Sequence, residues 1–181
     1  MSSLVSRLPK GYGKHVLYLD FDGVLHHENC LWHPKRGAYL SAPGEFTMFQ
    51  HAELLETLLA PYPAVLIVLS TSWVRRYGVA RTAKRLPEDL RRRVIGATVH
   101  SSMDEDYFSK LPRGLQVYED VLRRRPSHFV AIDDVDEGWP STIREHLVLT
   151  HDKHGISHPP VLAELKRKLT SHFTTEPRSA P

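Results

Sequence analysis

Three apolar runs of the sequence end in side chains that can bind a metal ion or a phosphoryl group. In chain order, the polar groups after these runs are Asp20 and Asp22, Ser70 to Ser72, and Asp133 and Asp134. Because parallel strands present their carboxyl ends at one edge of a sheet, these groups can converge although they are distant in sequence. Carboxylates are ligands that Mg²⁺ prefers, whereas a single cysteine and scattered histidines argue against zinc. The pattern predicts a magnesium site at this sheet edge.

The stretch Asp20-Phe21-Asp22-Gly23 has two interpretations when it is taken alone. An isolated Asp-x-Asp-Gly is typical of a turn or a calcium-type loop as well as of an active site. Residues 16–19 before it lack polar alternation, as expected of a parallel strand that is buried on both faces. The two later polar strand ends favour the active site, because three such ends on one sheet are a less common coincidence than one.

The elements that must position these groups alternate between strand and helix. Apolar runs predict strands over 16–19, 65–69, 94–99, 129–132 and 147–149, and periodicity with proline stops predicts helices over 49–59, 74–86, 88–93, 114–124 and 160–173. This order indicates a parallel sheet with right-handed crossovers and helices on both faces. We therefore expect an α/β fold of three layers, α/β/α, in the Rossmann-like manner.

The length of 181 residues suits one domain, which we place at 14–173. Residues 1–13 are predicted to be a polar lead-in and 174–181 a disordered tail. Residues 26–48, rich in proline and glycine, are predicted to form a flap or long loop over the site. Residues 103–113 are expected to be irregular.

Composition excludes some functions and leaves others open. No apolar run reaches the length of a membrane span, and the N-terminus lacks the apolar segment of a secretory signal, so we expect a cytoplasmic protein. Cys30 is the sole cysteine, which rules out an intrachain disulfide. The net charge of +3 gives no global argument for nucleic acid. The arginine clusters at 75–76, 91–93 and 123–125 are expected to be solvated helix ends, although together they would suit a polyanion.

The sequence Asp-Phe-Asp-Gly-Val-Leu resembles the first motif of the haloacid dehalogenase (HAD) superfamily, and the resemblance in motif order and spacing extends over residues 15–155. Ser-Thr-Ser-Trp at 70–73, Arg-Gly-Leu at 113–115, Phe-Val-Ala-Ile-Asp-Asp at 129–134 and Thr-His-Asp at 150–152 are similar to the HAD domains associated with RNA-repair proteins. That group is short and lacks an obvious cap. The segments between the motifs also leave no room here for a separate cap domain.

The resemblance implies a role for each strand-end carboxylate. Asp20 would be the nucleophile that forms an aspartyl-phosphate, and it would also bind the metal. Asp22 would be the general acid and base and would bind the metal through its backbone carbonyl. Asp133 would complete the Mg²⁺ shell, with Asp134 as an outer-sphere helper.

The same resemblance assigns the groups that bind the phosphoryl oxygens. Thr71 would hydrogen-bond one of these oxygens. A cation must also neutralise the phosphoryl charge, and we prefer Arg113, with Lys110 as the alternative. Trp73 is either part of a variant second motif or a core aromatic residue.

These residues predict a magnesium-dependent phosphatase with an open site, which would admit a large phosphorylated substrate such as a nucleic-acid end or a phosphoprotein. The substrate-contacting side chains of the flap would be Trp32, His33, Tyr39 and Phe46. Alternatives are a polynucleotide-end phosphatase and a catalytically silent HAD-fold module that binds a partner. The oligomeric state stays open.

Two groups of histidines have more ordinary interpretations. A second metal site at His151, Asp152, His154 and His158 is less favoured than a plain polar loop. For His26 and His27, a solvated loop pair is favoured over a contact with substrate.

Overall fold

The computed structural model describes residues 8–101 and 103–174. The strands are β1 (His15–Leu19), β2 (Cys30–His33), β3 (Gly37–Leu40), β4 (Leu66–Leu69), β5 (Val94–Ala97), β6 (His128–Asp133) and β7 (Leu147–Leu149). The helices are α1 (Ala52–Leu59), α2 (Trp73–Ala83), α3 (Glu88–Arg93), α4 (Glu105–Lys110), α5 (Arg113–Arg124), α6 (Ser141–Arg144) and α7 (Pro159–Phe173). Most of the predicted lead-in, 1–7, and of the predicted tail, 175–181, lies outside the described residues.

Five strands form the central sheet in the order β5-β4-β1-β6-β7, and every neighbouring pair is parallel. Strand β1 lies in the middle, so that Leu19 pairs with Leu69 of β4 on one side and with Ile132 of β6 on the other. The predicted α/β fold with a mainly parallel sheet is confirmed. The central position of β1 brings its carboxyl end between those of β4 and β6.

Strand β1 is buried on both faces, as its unbroken apolar run predicts. Leu17 and Leu19 pack into the larger core with α1, α3 and α7, whereas Val16 and Tyr18 pack into a second core with Val117 of α5. Helices therefore cover both faces of the sheet, and the molecule has the three layers expected.

Four short elements were not predicted. The flap at 26–48 contains the antiparallel hairpin β2–β3, in which Cys30 pairs with Leu40. Gly37, with a φ of 73°, directly follows the turn of this hairpin. A short turn that ends in glycine, between two short runs of residues, is a hairpin signal that was overlooked. Helix α4 lies in the segment expected to be irregular, and Asp104 caps it by accepting a bond from the Tyr107 N–H at 2.9 Å. The four-residue α6 was also missed.

Within the described residues, no separate domain covers the carboxyl edge of the sheet, which agrees with the absence of a large cap. None of the helices there has the length and apolar character required to cross a bilayer.

Candidate active site

Asp20 and Asp133 are adjacent because they continue two neighbouring strands. The Asp20 N–H donates to the Ile132 carbonyl at 3.1 Å, which extends the ladder between β1 and β6 past Leu19. One carboxylate oxygen from each of Asp20, Asp133 and Asp134 lies within 4.8 Å of the others. The side chains of Asp20 and Asp133 are almost completely buried, at 3% and 2% exposure, and Asp134 is half-buried. The sheet edge thus gathers three carboxylates at the end of its central strands.

Gly23 allows the chain after β1 to pass close to this cluster. Its φ of 67° lies in the left-handed region, which disfavours residues with a side chain. A Cβ at Gly23 would also come within 2.3 Å of Asp134 Oδ2. The glycine of the first motif therefore has a steric reason, because it leaves room for the third carboxylate.

Arg113, at the start of α5, is the cation that reaches the carboxylates. Its Nη2 lies 3.4 Å from Asp20 Oδ2, and its Nε lies 3.5 Å from Asp133 Oδ2. Its Nη1 donates to the Ser70 carbonyl. Lys110, the alternative, is an exposed residue in the last turn of α4. The geometry favours Arg113 over Lys110 as the cation that faces the carboxylate cluster.

The start of α5 is held in place by a close backbone contact. A Cβ on Gly114 would lie 2.3 Å from the Trp139 backbone nitrogen, so that only glycine lets the helix approach this segment. The Gly114 N–H donates to the Glu137 carbonyl at 3.0 Å. This contact fixes the helix end from which Arg113 extends.

Thr71 and Ser70 follow β4, next to the carboxylates. Thr71 is buried, and its hydroxyl lies near enough to Asp20 to lower the pKa of that carboxyl group slightly against the larger effect of burial. The Ser70 hydroxyl oxygen is buried without a hydrogen-bond partner among the described residues. A cavity of about 110 Å³ lies beside this strand end and is lined by Thr71, Ser72, Arg75 and Arg113, among others. The hydroxyl and the guanidinium thus face the same small space.

The carboxylates outnumber the cation, and their proton affinities reflect this. Burial raises the pKa of Asp20, and Asp22 raises it further, although Arg113 opposes both effects. Burial followed by the charge of Asp20 raises the pKa of Asp133 well above its usual range and that of Asp134 to about 7. Burial would lower the pKa of Arg113, but the surrounding carboxylates raise it instead. One guanidinium does not compensate this cluster.

Asp22 lies apart from the other three carboxylates and is held by a different set of partners. Trp73 Nε1 donates to Asp22 Oδ1 at 3.0 Å, and His26 Nε2 lies 2.9 Å from the same oxygen. The Cys30 sulfur lies within 4.8 Å of an Asp22 carboxylate oxygen, and burial together with this carboxylate raises the pKa of the thiol to about 12. Trp73 is therefore a buried aromatic residue that also contacts the second aspartate of the motif.

The expectation that His26 and His27 form a solvated pair is wrong. His26 is fully buried and His27 is 8% exposed. The His26 ring packs against Phe49 at 4.9 Å between centroids, and the His27 ring packs against Phe46 at 4.8 Å. One signal in the sequence could have indicated the contact between His26 and Asp22. His26 lies four positions after Asp22, so a turn after the first motif can bring its ring back to the carboxylate.

The arginine clusters are only partly solvated. Arg75 and Arg76 are exposed, as expected. Arg124 is buried and pairs with Asp120 at 2.8 Å, and Arg93 donates to the carbonyls of Leu59 and Tyr62. These two side chains stabilise the fold because each satisfies buried or half-buried acceptors, so the expectation of plain solvated helix ends is wrong for them.

The flap and the second histidine cluster complete the set of predicted residues. Trp32 and His33 of β2 are exposed, whereas Tyr39 and Phe46 are half-buried. His151 and His158 stack at 4.4 Å between ring centroids. In the part of the chain that the structure describes, two clusters of potential ligand atoms converge, Asp22-His26-Cys30 and Asp20-Asp133-Asp134, and neither includes these histidines.

The carboxylate cluster suits a hard cation. Asp133 Oδ2 is buried and has no hydrogen-bond partner among the described residues, although the carboxylate's other oxygen accepts from the Val135 N–H at 3.1 Å. Arg113 Nε lies 3.5 Å from this oxygen without forming a hydrogen bond, and the same guanidinium also faces Asp20. A buried oxygen without a hydrogen-bond donor is costly, so a further cation would stabilise it. Oxygen-only donors at such a cluster fit Mg²⁺ rather than a metal that prefers nitrogen or sulfur.

Comparisons with known proteins place the chain in a family. No curated protein and no solved structure matched it. A family model described as "HAD domain in Swiss Army Knife RNA repair proteins" matches residues 16–161, which include every strand of the sheet except the first residue of β1. With this match and with the sheet edge described above, the chain belongs to the HAD superfamily, in the family of HAD domains found in Swiss Army Knife RNA repair proteins.

Proposed function

We propose that this protein is a magnesium-dependent phosphatase that acts through an aspartyl-phosphate on Asp20. The observation that supports this proposal most strongly is the convergence of three carboxylates, the Arg113 guanidinium and the Thr71 hydroxyl at one end of β1. Asp20, Asp133, Asp134 and the backbone carbonyl of Asp22 would hold the ion. When bound, Mg²⁺ would offset the negative charge shared by the nucleophile and the phosphoryl group.

In the first half-reaction, a carboxylate oxygen of Asp20 attacks phosphorus in line with the departing oxygen. The bond from phosphorus to that oxygen breaks as the bond to Asp20 forms, and Asp22 gives its proton to the leaving group. Arg113 and Thr71 bind the phosphoryl oxygens as their charge redistributes. Preorganised donors of this kind stabilise the transition state because they need no rearrangement during the reaction.

In the second half-reaction, water attacks the phosphorus of the aspartyl-phosphate. Asp22 takes a proton from this water, the bond between phosphorus and Asp20 breaks, and inorganic phosphate leaves. Trp73 and His26 hold one oxygen of Asp22, which keeps the carboxylate in one orientation for both proton transfers. The other oxygen is then the one that exchanges the proton.

A nucleic-acid end is the substrate that we propose for this site. The family model describes domains of RNA-repair proteins, and the sheet edge has no separate cap within the described residues, so a phosphate carried on a polymer can reach it. A phosphoprotein is the alternative for the same open site.

The decisive experiment compares Asp20→Asn with the wild type in hydrolysis of an aryl phosphate with Mg²⁺. We expect loss of turnover by about four orders of magnitude or more, as for removal of a nucleophile elsewhere. The control is Asp136→Asn, which changes an exposed carboxylate paired with Arg144 at 2.9 Å. Full activity in Asp20→Asn would contradict the mechanism, and failure of the wild type to hydrolyse any phosphate or to bind Mg²⁺ would favour a silent binding module.

A second measurement separates the two half-reactions. An aryl leaving group needs little help from an acid, so loss of Asp22 should slow hydrolysis of the intermediate more than its formation. When the reaction of Asp22→Asn with the aryl phosphate is quenched with acid, we expect mass spectrometry to detect a phosphate on Asp20. Absence of any phosphorylated peptide would argue against a covalent intermediate.

A further inference from the structure

An open groove of about 700 Å³ extends from Asp22 between the β2–β3 hairpin and the first turns of α2. The hairpin provides Trp32 and Ala38, and the helix provides Arg75 and Arg76. The Ala38 N–H donates to the Tyr77 hydroxyl at 3.0 Å, which joins the two walls. The groove is therefore a formed feature of the fold and begins at the residue that would transfer protons.

The groove continues from the small cavity beside Thr71 and Arg113. Ser72 and Arg75 line both spaces, so one side chain, Arg75, borders the phosphoryl site and the groove. A phosphate at the Thr71 end would thus have the group that carries it directed into the groove.

Trp32 forms a flat, accessible wall of this groove. Its side chain is 41% exposed, which is high for an aromatic residue of this size. The Arg76 guanidinium lies 3.9 Å from the centroid of the Trp32 ring and holds it by a cation–π contact. Arg76 covers one face of the indole and fixes its orientation, so a planar ring can stack on the other face.

The lining has no net positive charge, because two arginines stand against two carboxylates, but its adjacent arginines can each contact a phosphate. Arg75 and Arg76 contribute two positive charges, and Glu105 contributes one negative charge. Asp22, the remaining acidic residue, belongs to the proposed reacting centre. An aromatic platform beside arginines is the combination by which proteins bind single-stranded nucleic acid without reading its sequence.

We propose that this groove binds the last nucleotides of a single nucleic-acid strand, with a base stacked on the face of Trp32 that Arg76 leaves open and backbone phosphates at Arg75 and Arg76. The assignment rests on the proposed phosphatase function only for the position of the terminal phosphate. A base inside a duplex is already stacked on both faces, so the groove selects an unpaired end. A phosphoserine or phosphothreonine peptide has no ring beside its phosphate that could stack on the indole.

The test measures RNA binding separately from hydrolysis. A fluorescein-labelled, unphosphorylated decaribonucleotide is titrated with the wild type, Trp32→Ala, Trp32→Phe, Arg76→Ala and the control Arg81→Ala, and fluorescence anisotropy gives Kd. Arg81 is an exposed arginine of the same helix that is not part of the groove lining. We expect Trp32→Ala to weaken binding about tenfold to a hundredfold, Trp32→Phe much less, and Arg81→Ala hardly at all. Arg76→Ala removes one phosphate contact and should therefore lower the slope of log Kd against log salt concentration by about 1.

Activity is measured in parallel on four substrates. They are the same RNA with a 3′-phosphate, that RNA paired with a complementary strand, a phosphopeptide, and an aryl phosphate. We expect Trp32→Ala to lower the ratio of kcat/KM for the single-stranded RNA to that for the aryl phosphate about tenfold. Loss of RNA binding in Trp32→Ala with no hydrolysis in any variant would support the groove and contradict the phosphatase. Hydrolysis with an unchanged Kd and ratio in Trp32→Ala would overturn the groove and leave the phosphatase standing. Equal use of the phosphopeptide or the duplex would also overturn the groove.

Discussion

Helix α5 carries a buried cluster of charges at each end, and the two clusters are compensated differently. At its start, Arg113 faces the carboxylates of Asp20, Asp133 and Asp134, which outnumber it. Near its end, a single carboxylate, Asp120, receives bonds from Arg123, Arg124 and the Tyr18 hydroxyl. Both clusters lie against the central strand of the same sheet.

The difference in compensation separates a cluster that stabilises the fold from one that we propose as a cation site. Asp120 Oδ2 accepts from Tyr18 at 2.9 Å and from Arg124 at 2.8 Å, so its charge is fully paired. Asp133 Oδ2 lacks a hydrogen-bond donor among the described residues. The Asp120 carboxylate is saturated by donors and needs no further ligand, although Arg123 Nε beside it is buried without a partner among the described residues. The carboxylates around Asp133 have too few donors, so a bound cation would stabilise them.

The largest effect is expected from breaking the paired cluster. Asp120→Ala would leave the buried Arg124 guanidinium without its carboxylate and should lower the free energy of unfolding by about 3–5 kcal/mol. Urea unfolding measures this change. The control Asp136→Ala removes an exposed partner of Arg144 and should cost less than about 1 kcal/mol. Equal, small losses in both variants would remove the distinction between the clusters.

The next effect concerns the two cations considered for the site. Arg113→Ala should lower kcat/KM for an aryl phosphate about a hundredfold to a thousandfold, as for loss of one preorganised donor. Lys110→Ala should stay close to the wild type because Lys110 is exposed. A large loss in Lys110→Ala with little change in Arg113→Ala would reverse the assignment.

The smallest effect concerns the reactivity of Cys30, which reports whether the negative charge of Asp22 reaches the thiol. Because burial and Asp22 raise the pKa of Cys30 to about 12, the thiol stays protonated at neutral pH and should react slowly with iodoacetamide. In buffer with a chelator, the alkylation rate should still rise with pH at about 10, beyond the range of an ordinary thiol. Asp22→Asn removes the negative charge and should shift this profile to lower pH. A wild-type profile that levels off near the ordinary thiol pKa would contradict the contact.

Local sequence patterns were sufficient to predict the strands and the residues at their ends. Asp20 and Asp133 follow apolar runs directly, so that the parallel sheet alone brings them together. The two strands of the hairpin were missed because each has only four residues, and because β2 is mostly exposed and β3 only half-buried, so that neither shows a clear apolar alternation.

Contacts between side chains from distant segments could not be predicted in the same way. The hydrogen bond from Trp73 to Asp22 joins residues 51 positions apart in the sequence. It depends on how α2 packs beside β1. Asp120 and Arg124 have the spacing of a helical ion pair, which is commonly exposed. Their burial depends on Tyr18 and on the turn before β1, where the Lys10 carbonyl accepts a bond from Arg124. Neither neighbour is indicated by the helix sequence itself.

The central claim, that the under-compensated carboxylates form a cation site, is tested most directly by the effect of Mg²⁺ on stability. We expect Mg²⁺ at a hundredfold excess over its Kd to raise the wild-type free energy of unfolding by about 2.7 kcal/mol relative to buffer with a chelator. Asp133→Asn should be at least as stable as the wild type in the chelator, because one of the crowded carboxylates is gone, and should gain little from Mg²⁺. Asp136→Asn, the exposed control, should gain as much as the wild type. A wild type that Mg²⁺ does not stabilise, or an Asp133→Asn variant that gains equally, would contradict the account.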